Sequence, residues 1–315
     1  MKTIHITTGD PDGVGLEVSL KALKKIGPQR GIQFTLWRSN QAPRELLSLT
    51  DGLFFRINPL KQKNLEKYKK ENIFLDIPGS STPTKWVARA AQSCLKNKNT
   101  EALVTGPLSK TQMQKELFPE KGHTHLLKKL SETEHVFMTF LGKCFHVTLL
   151  TDHEPLKKIN WTKNSLNKCI ALCLQLQQSC SLKAKNKKIA LLGLNPHAGE
   201  EGLLGKEEFS LKKEIQKWNN QVEGPLVPDV AFLKKNQKKY FLYICLYHDQ
   251  GLIPFKMIHE RDSFQFSLGL PFIRTSVSHG TAKDIFGKNK ANSQSMEKAL
   301  LWTIRSLRKN KTLWV

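Results

Sequence analysis

One recurring unit constrains this chain more than anything else in it: a short apolar, β-branched run, then a turn, then a helical pattern. The runs are Thr3–Thr8, Gln33–Arg38, Ile73–Ile77, Ala102–Thr105, Phe145–Thr151, Lys188–Leu194 and Tyr240–Tyr247. They are apolar at odd and even positions alike, as strands covered on both faces must be. The helical patterns are Leu16–Lys25, Thr84–Leu95, Ser165–Gln178, Glu207–Gln216 and Ser295–Lys309. Strands alternating with helices predict βαβ units and a mainly parallel sheet, an α/β fold. The 315 residues allow two domains or one large one, at roughly 100–200 residues each. The sequence has no internal repeat and no low-complexity linker, and a break is expected at residues 120–130.

The charge needs an explanation, because 50 basic residues face 27 acidic ones. Only nine of the 50 are arginine, the side chain suited to bidentate base and phosphate contacts. The lysines fall in scattered pairs, the densest patch (Lys183–Lys188) reads as a loop, and no aromatic residues interleave with them. A solvated coat that draws anionic substrates fits this better than nucleic-acid binding. No apolar run approaches the roughly 18 residues of a membrane span, and Met1–Asp10 lacks the apolar core of a secretory signal. The six cysteines form no Cys-x-x-Cys pair, so reduced thiols in a cytoplasmic protein are expected. Cys169 and Cys173, four apart, share a helical face.

Polar clusters follow several of the runs, where open α/β sheets bind their ligands. Thr7-Thr8-Gly9-Asp10-Pro11-Asp12-Gly13-Val14-Gly15 is either a ligand loop, with Gly13 and Gly15 admitting close approach and a helix N-terminus facing an anion, or an ordinary glycine turn. Its spacing is not Gly-x-Gly-x-x-Gly. Thr105-Gly106-Pro107-Leu108-Ser109-Lys110 suits a phosphate or carboxylate. In Gly122-His123-Thr124-His125 the histidines fall on opposite sides of a strand or splay in a loop, with His125 read as a surface residue. Three further clusters, around His153, His197 and His248, each place an imidazole just beyond a strand. Parallel strands bring those ends to one edge, and three imidazoles suit zinc, cobalt or a similar ion while leaving positions open. Asp152, Asn195 and Asp249 are candidates to fix the ring tautomers. Arg274, within Ser267–Ser276, is either a bidentate clamp on an anion or half of a buried ion pair.

Taken in order, these segments resemble the 4-hydroxythreonine-4-phosphate dehydrogenases of pyridoxal phosphate (vitamin B6) biosynthesis. The specific stretches are Gly193–Glu200, Tyr247–Gly251 and Gly269–Val277, within a likeness running from about Thr3 to Asn292. Gly9-Asp10…Gly13-Val14-Gly15 and His279-Gly280-Thr281-Ala282…Asn292 also look like the isocitrate and isopropylmalate dehydrogenases. The resemblance implies two α/β/α domains with mainly parallel sheets and a cleft between them. Residues 1–125 plus 278–315 would form the first, with the NAD loop; 126–277 would form the second, with the metal ligands and dimer interface. It implies a divalent metal (Zn, Mg or Co) on His153, His197 and His248, the third histidine coming from the partner subunit of a homodimer. Substrate positions fall on His123, Thr124, Lys256, Gln265 and Arg274, cofactor positions for NAD or NADP on Gly280, Asp284 and Asn292, and Asp229 and Lys256 are candidate proton carriers. The implied reaction oxidises 4-phosphohydroxy-L-threonine to a β-keto acid that decarboxylates to 3-amino-2-oxopropyl phosphate.

The chain departs from the family pattern at Gln265 (usually asparagine), His125 (usually glutamate) and Ser278 (usually aspartate), and Met257–Ser263 lacks a glycine-rich stretch. A sister branch acting on 4-phospho-threonate or 4-phospho-erythronate is therefore an alternative. A phosphate-acetyltransferase-like acyltransferase is a more distant one, since it leaves the three histidines without purpose.

Overall fold

Among the described residues of the computed structural model, twelve strands join one sheet. The structure describes all of the chain except 51–53, 57–73, 80–81, 120–121, 181–183, 185, 219 and 310–315. Across the sheet, with strands numbered in chain order, come β3 (Phe54–Arg56), β4 (Phe74–Gly79), β2 (Ile32–Ser39), β1 (Lys2–Thr7), β5 (Glu101–Thr105) and β12 (Ile273–Val277). The other half follows: β11 (Ser263–Leu268), β6 (Phe137–Gly142), β7 (His146–Leu149), β10 (Tyr240–Cys245), β8 (Lys188–Leu192) and β9 (Val222–Leu226). Ile73, at the start of one expected run, and Lys183 and Lys185 of the lysine patch lie outside the described residues.

The expected parallel pattern holds within each half. Antiparallel pairing is confined to the seam, where β11 pairs with β12 and β6, and β6 pairs with β7. The seam has a consequence that the run pattern does not contain: the parallel strands of the second half point opposite to those of the first. The seam strands also explain why the sequence reading passes over them. β11 (SFQFSL) and β12 (IRTSV) mix polar with apolar residues, yet all of their residues are buried.

Helices cover both faces. Gly15–Ile26 and Gln294–Arg308 lie over the first half with Leu20, Leu23, Leu300 and Ile304 in the main core. Pro83–Lys96 closes the opposite face through Trp86, Val87, Ala90 and Cys94. In the second half, Lys163–Ser179 brings Cys169, Ile170 and Cys173 inward, and both cysteines are buried on one face as expected. The helix His248–His259 packs Leu252 and Phe255 against Phe140, Phe145, Val147 and Tyr243. Burial of each such large apolar side chain contributes roughly 1.5–3 kcal/mol. No described helix is long and apolar enough to cross a membrane.

Candidate active site

Side-chain and backbone hydrogen bonds hold the three histidine-bearing strand ends in a row. Leu150 N donates to Cys245 O (2.8 Å) and Thr151 Oγ1 to Leu246 O (2.6 Å), joining the ends of β7 and β10. Gln250, in the first turn of His248–His259, accepts from Leu246 N (2.7 Å) and donates through Nε2 to Gly193 O just beyond β8 (2.7 Å). Sequence reasoning passed over Gln250; only the sheet order makes it a bridge between strands.

Two of the three expected imidazoles meet within the chain. The rings of His153 and His248 lie 5.3 Å apart between centroids, tilted by 35°. Asp249 Oδ1 sits 2.6 Å from His248 Nδ1, which keeps the proton there and leaves Nε2 free. Burial holds the His153 pKa below its ordinary value; Asp152 opposes this, while Lys110, His248 and His125 reinforce it. His153 is thus held toward its neutral, metal-binding form. The electrostatic effect of Lys110 and His125 also shows that the segments after β5 approach this edge. His125 is exposed as expected, and its charge adds only the smallest of these effects on His153. Paired imidazoles, one with its tautomer set by a carboxylate, suit a borderline divalent ion.

The other two expected tautomer partners do not act on rings. Asp152 Oδ1 accepts the backbone N–H of His153 (2.7 Å) and shapes the turn. Asn195 Nδ2 donates to Glu207 and Glu208. The turn that Asn195 precedes is unusual. His197, Ala198, Gly199, Glu200 and Glu201 all have left-handed backbone, with φ of 52, 54, 80, 41 and 56°, a conformation costing roughly 1–2 kcal/mol for each non-glycine residue. Among the described contacts, none joins the His197 ring to His153 or His248 in the same chain.

A different triad, His5, Cys94 and Glu101, gathers in the core. Trp37 Nε1 donates to His5 Nδ1 (3.3 Å), so His5 Nε2 carries the proton shared with Glu101 (3.0 Å). That tautomer makes the triad a hydrogen-bonded structural cluster.

Arg274 supplies positive charge. It is 1 % exposed. Its two terminal nitrogens donate to Ser267 Oγ (3.0 Å) and Thr105 Oγ1 (2.5 Å), and Thr105 Oγ1 in turn donates to Ser276 Oγ (3.0 Å). No described carboxylate pairs with the guanidinium, and its Nε has no partner; the buried ion pair is therefore not what is found. Burial pulls the Arg274 pKa down to about 9, which leaves it charged at neutral pH. Burial first, and then the charge of Arg274, lowers His123 to about 3. His123 is accordingly neutral, and its Nε2 is sealed and unpartnered. His123 and Thr124 open the helix His123–Leu130 rather than lying in a strand or loop. A buried cation with an unspent N–H beside a neutral imidazole is a place for an anion.

The remaining loops form a latched unit. A Cβ on Gly9 (φ 76°) would lie 1.9 Å from Pro107 O, and one on Gly15 1.7 Å from Thr8 O. Gly15 therefore serves backbone packing between loops, not ligand approach, and Val14 N donates to Thr281 O (2.9 Å). Lys283 Nζ spans Asp10 Oδ2 (3.0 Å) and Asp12 Oδ1 (2.9 Å), and Asp10 accepts from Ser109 N and Oγ. Beside this latch lies a cavity of about 190 Å³, lined by Val14, Ser278, His279, Gly280, Ala282 and Asn292 among others. His279 Nε2 is buried there without a partner. Gly280 and Asn292 thus line one cavity, while exposed Asp284 does not. Gln265 is buried on β11. Lys256 and Asp229 are exposed, Lys256 two turns beyond His248 on the same helix and Asp229 on the short helix Pro228–Ala231.

Residues 76–303 match the family model described as pyridoxal phosphate biosynthetic protein PdxA. The chain belongs to the PdxA family. The 4-hydroxythreonine-4-phosphate dehydrogenase of Aquifex aeolicus is 35% identical over 95% of this chain and 96% of its own length. That of Sulfurihydrogenibium is also 35% identical, over 95% and 97%. The crystal structure of the Klebsiella pneumoniae enzyme superposes with a TM-score of 0.76 at 27% identity, covering 97% of this chain and 98% of that one. Isocitrate dehydrogenase from Methylococcus capsulatus, at 14% identity and a TM-score of 0.56, shares the fold alone. The chain is thus an oxidoreductase of pyridoxal phosphate biosynthesis.

Proposed function

We propose that this chain oxidises 4-phosphohydroxy-L-threonine with NAD, or NADP in its place, and a divalent metal ion (Zn, Mg or Co). The β-keto acid formed then loses carbon dioxide to leave 3-amino-2-oxopropyl phosphate. The observation that carries the reading is Arg274: a buried, charged guanidinium with no described acid partner and an unspent Nε–H, in a chain that also brings His153 and His248 together. Together they present fixed positive charge for an anionic substrate and imidazoles for a metal.

His153, His197 and His248 would hold the ion, the third imidazole arriving from a second copy. When bound, the metal supplies Lewis-acid polarisation of the substrate hydroxyl and of the carbonyl that replaces it. When bound, the nicotinamide supplies the hydride acceptor. The protein does the rest. Thr105 and Ser267 hold the guanidinium plane, so that Arg274 meets a phosphate or carboxylate oxygen in a fixed orientation. His123, neutral, offers Nε2 to the same ligand without adding charge. Thr124 and Gln265 complete the polar wall. Lys256 Nζ, on the helix that carries His248, is the favoured proton carrier, with Asp229 as the alternative. Gly280 and Asn292 would receive the nucleotide, and Asp284 would meet its exposed edge.

Residues 1–125 with 278–315 are taken as the cofactor domain and 126–277 as the histidine domain of a cytoplasmic homodimer. Ile253 (59 % exposed), Met257 (80 %) and Ile258 favour the dimer, since the helix of His248 leaves these apolar side chains uncovered. Gln265, His125 and Ser278 favour 4-phospho-threonate or 4-phospho-erythronate as the second reading.

One assay tests the choice: NADH absorbance with each substrate, with and without chelator. NADH from 4-phosphohydroxy-L-threonine alone, abolished by chelator, is expected. NADH only from the phospho-aldonates would transfer the chain to the sister branch.

A further inference from the structure

The left-handed turn that carries His197 is gripped from beneath by one buried acid. Glu208, 4 % exposed, stands in the first turn of the helix Glu207–Ile215. Its Oε1 accepts the backbone N–H groups of Leu194 and Asn195, both at 2.8 Å, and its Oε2 accepts from Asn195 Nδ2 at 3.0 Å. Asn195 Nδ2 also reaches Glu207 Oε2 at 2.9 Å. No described cation pairs with Glu208, so its charge is answered by N–H dipoles alone. The turn then passes directly over the carboxylate: a Cβ on Gly199 would lie 2.7 Å from Glu208 Oε2. The only glycine of the five left-handed residues thus stands where the acid leaves no room for a side chain.

We propose that Glu208 is a positioning residue that holds His197 ready for the divalent ion. Its grip ends two residues before His197, at the junction where the backbone turns from extended to left-handed. Four of the five residues in the run have a Cβ and resist that conformation. Without an anchor on the preceding strand end, the turn can relax and carry its imidazole away. Asp249 does the corresponding work for His248 through the ring itself; Glu208 acts through the backbone. The inference rests on the reading of His153, His197 and His248 as metal ligands.

Cobalt(II) titration of the full-length protein, followed by visible absorption and by competition with a chromophoric chelator, separates the two claims. Wild type should bind Co²⁺ and His197→Ala should bind it poorly. Glu208→Ala should weaken binding roughly 10–100-fold, the range for residues that orient a ligand. Glu208→Gln keeps one oxygen for the two backbone N–H groups but sets an amide against Asn195 Nδ2, so its affinity should lie between. It also decides the matter should Glu208→Ala fail to fold. A native circular dichroism spectrum with weakened Co²⁺ binding in either variant supports the proposal. Wild-type affinity in a folded Glu208 variant, with His197→Ala impaired, overturns it and leaves the ligand reading intact. Absence of Co²⁺ binding by wild type overturns both.

Discussion

Arg274→Met should make the protein more stable while it loses its activity. Burial lowers the Arg274 pKa from near 12.5 to about 9, and that fall corresponds to a cost of burying the charge. At roughly 1.4 kcal/mol for each pH unit, that cost is about 5 kcal/mol. It is present in full at neutral pH and relieved only above pH 9, because between the folded and unfolded pKa values the unfolded chain binds the extra proton. Methionine removes it and roughly fills the space. Against the gain stand two hydrogen bonds. Ser267 Oγ loses its Arg274 donor, while Thr105 Oγ1 keeps its bond to Ser276; together these losses cost about 2–3 kcal/mol. A net stabilisation of about 2 kcal/mol remains, readable by urea denaturation in a phosphate-free buffer. Inorganic phosphate should stabilise wild type and leave Arg274→Met unmoved. Loss of a charge-assisted contact to the substrate should lower kcat/KM by at least tenfold to a hundredfold. If the variant is less stable than wild type, or if phosphate stabilises both equally, Arg274 is structural and the anion site is wrong.

Acid should unfold this protein through partly buried histidines that the fold keeps neutral. His123 titrates near 3 and His146 near 4 in the folded chain, so the unfolded state binds more protons below pH 6.5 and stability falls as the pH drops; at pH 5 each contributes a loss of about 2 kcal/mol. The difference in Tm between pH 7 and pH 5 should shrink in His123→Gln, and an unchanged difference would show that His123 is not neutral in the fold. Gln250→Leu should cost about 2–5 kcal/mol, because Leu246 N and Gly193 O lose a buried partner; urea denaturation with a loss below 1 kcal/mol would mean the strand ends are held otherwise. Ile253→Lys, on the uncovered face of the helix His248–His259, should turn dimer into monomer in sedimentation velocity and remove activity with it, whereas a monomeric but fully active protein would rule out a shared site.

Much of the frame could be read without coordinates. β5, β8 and β10 announce themselves because strands buried on both faces are apolar nearly throughout, and β1 and β2 because large apolar residues recur at every second position; both signals are local. The same locality explains why each histidine could be placed just past a strand. It also explains the strands that were passed over. β11 and β12 carry buried polar residues because Arg274 bonds Ser267 across the seam and Thr105 of β5 bonds both Arg274 and Ser276, and such partners lie up to 171 residues apart.

What the tertiary structure alone decided is who faces whom. His125 reads as a surface residue and is one, yet it acts on His153 because the segments following β5 approach the histidine edge. Asn195 and Asp152 look like ring partners by their nearness in sequence, but their side chains are taken by Glu208 and by the backbone. Gly15 reads as room for a ligand and is room for Thr8. Periodicity reports how a residue sits relative to its own element; contacts between elements depend on strand order, direction and twist, which burial from many distant segments settles together.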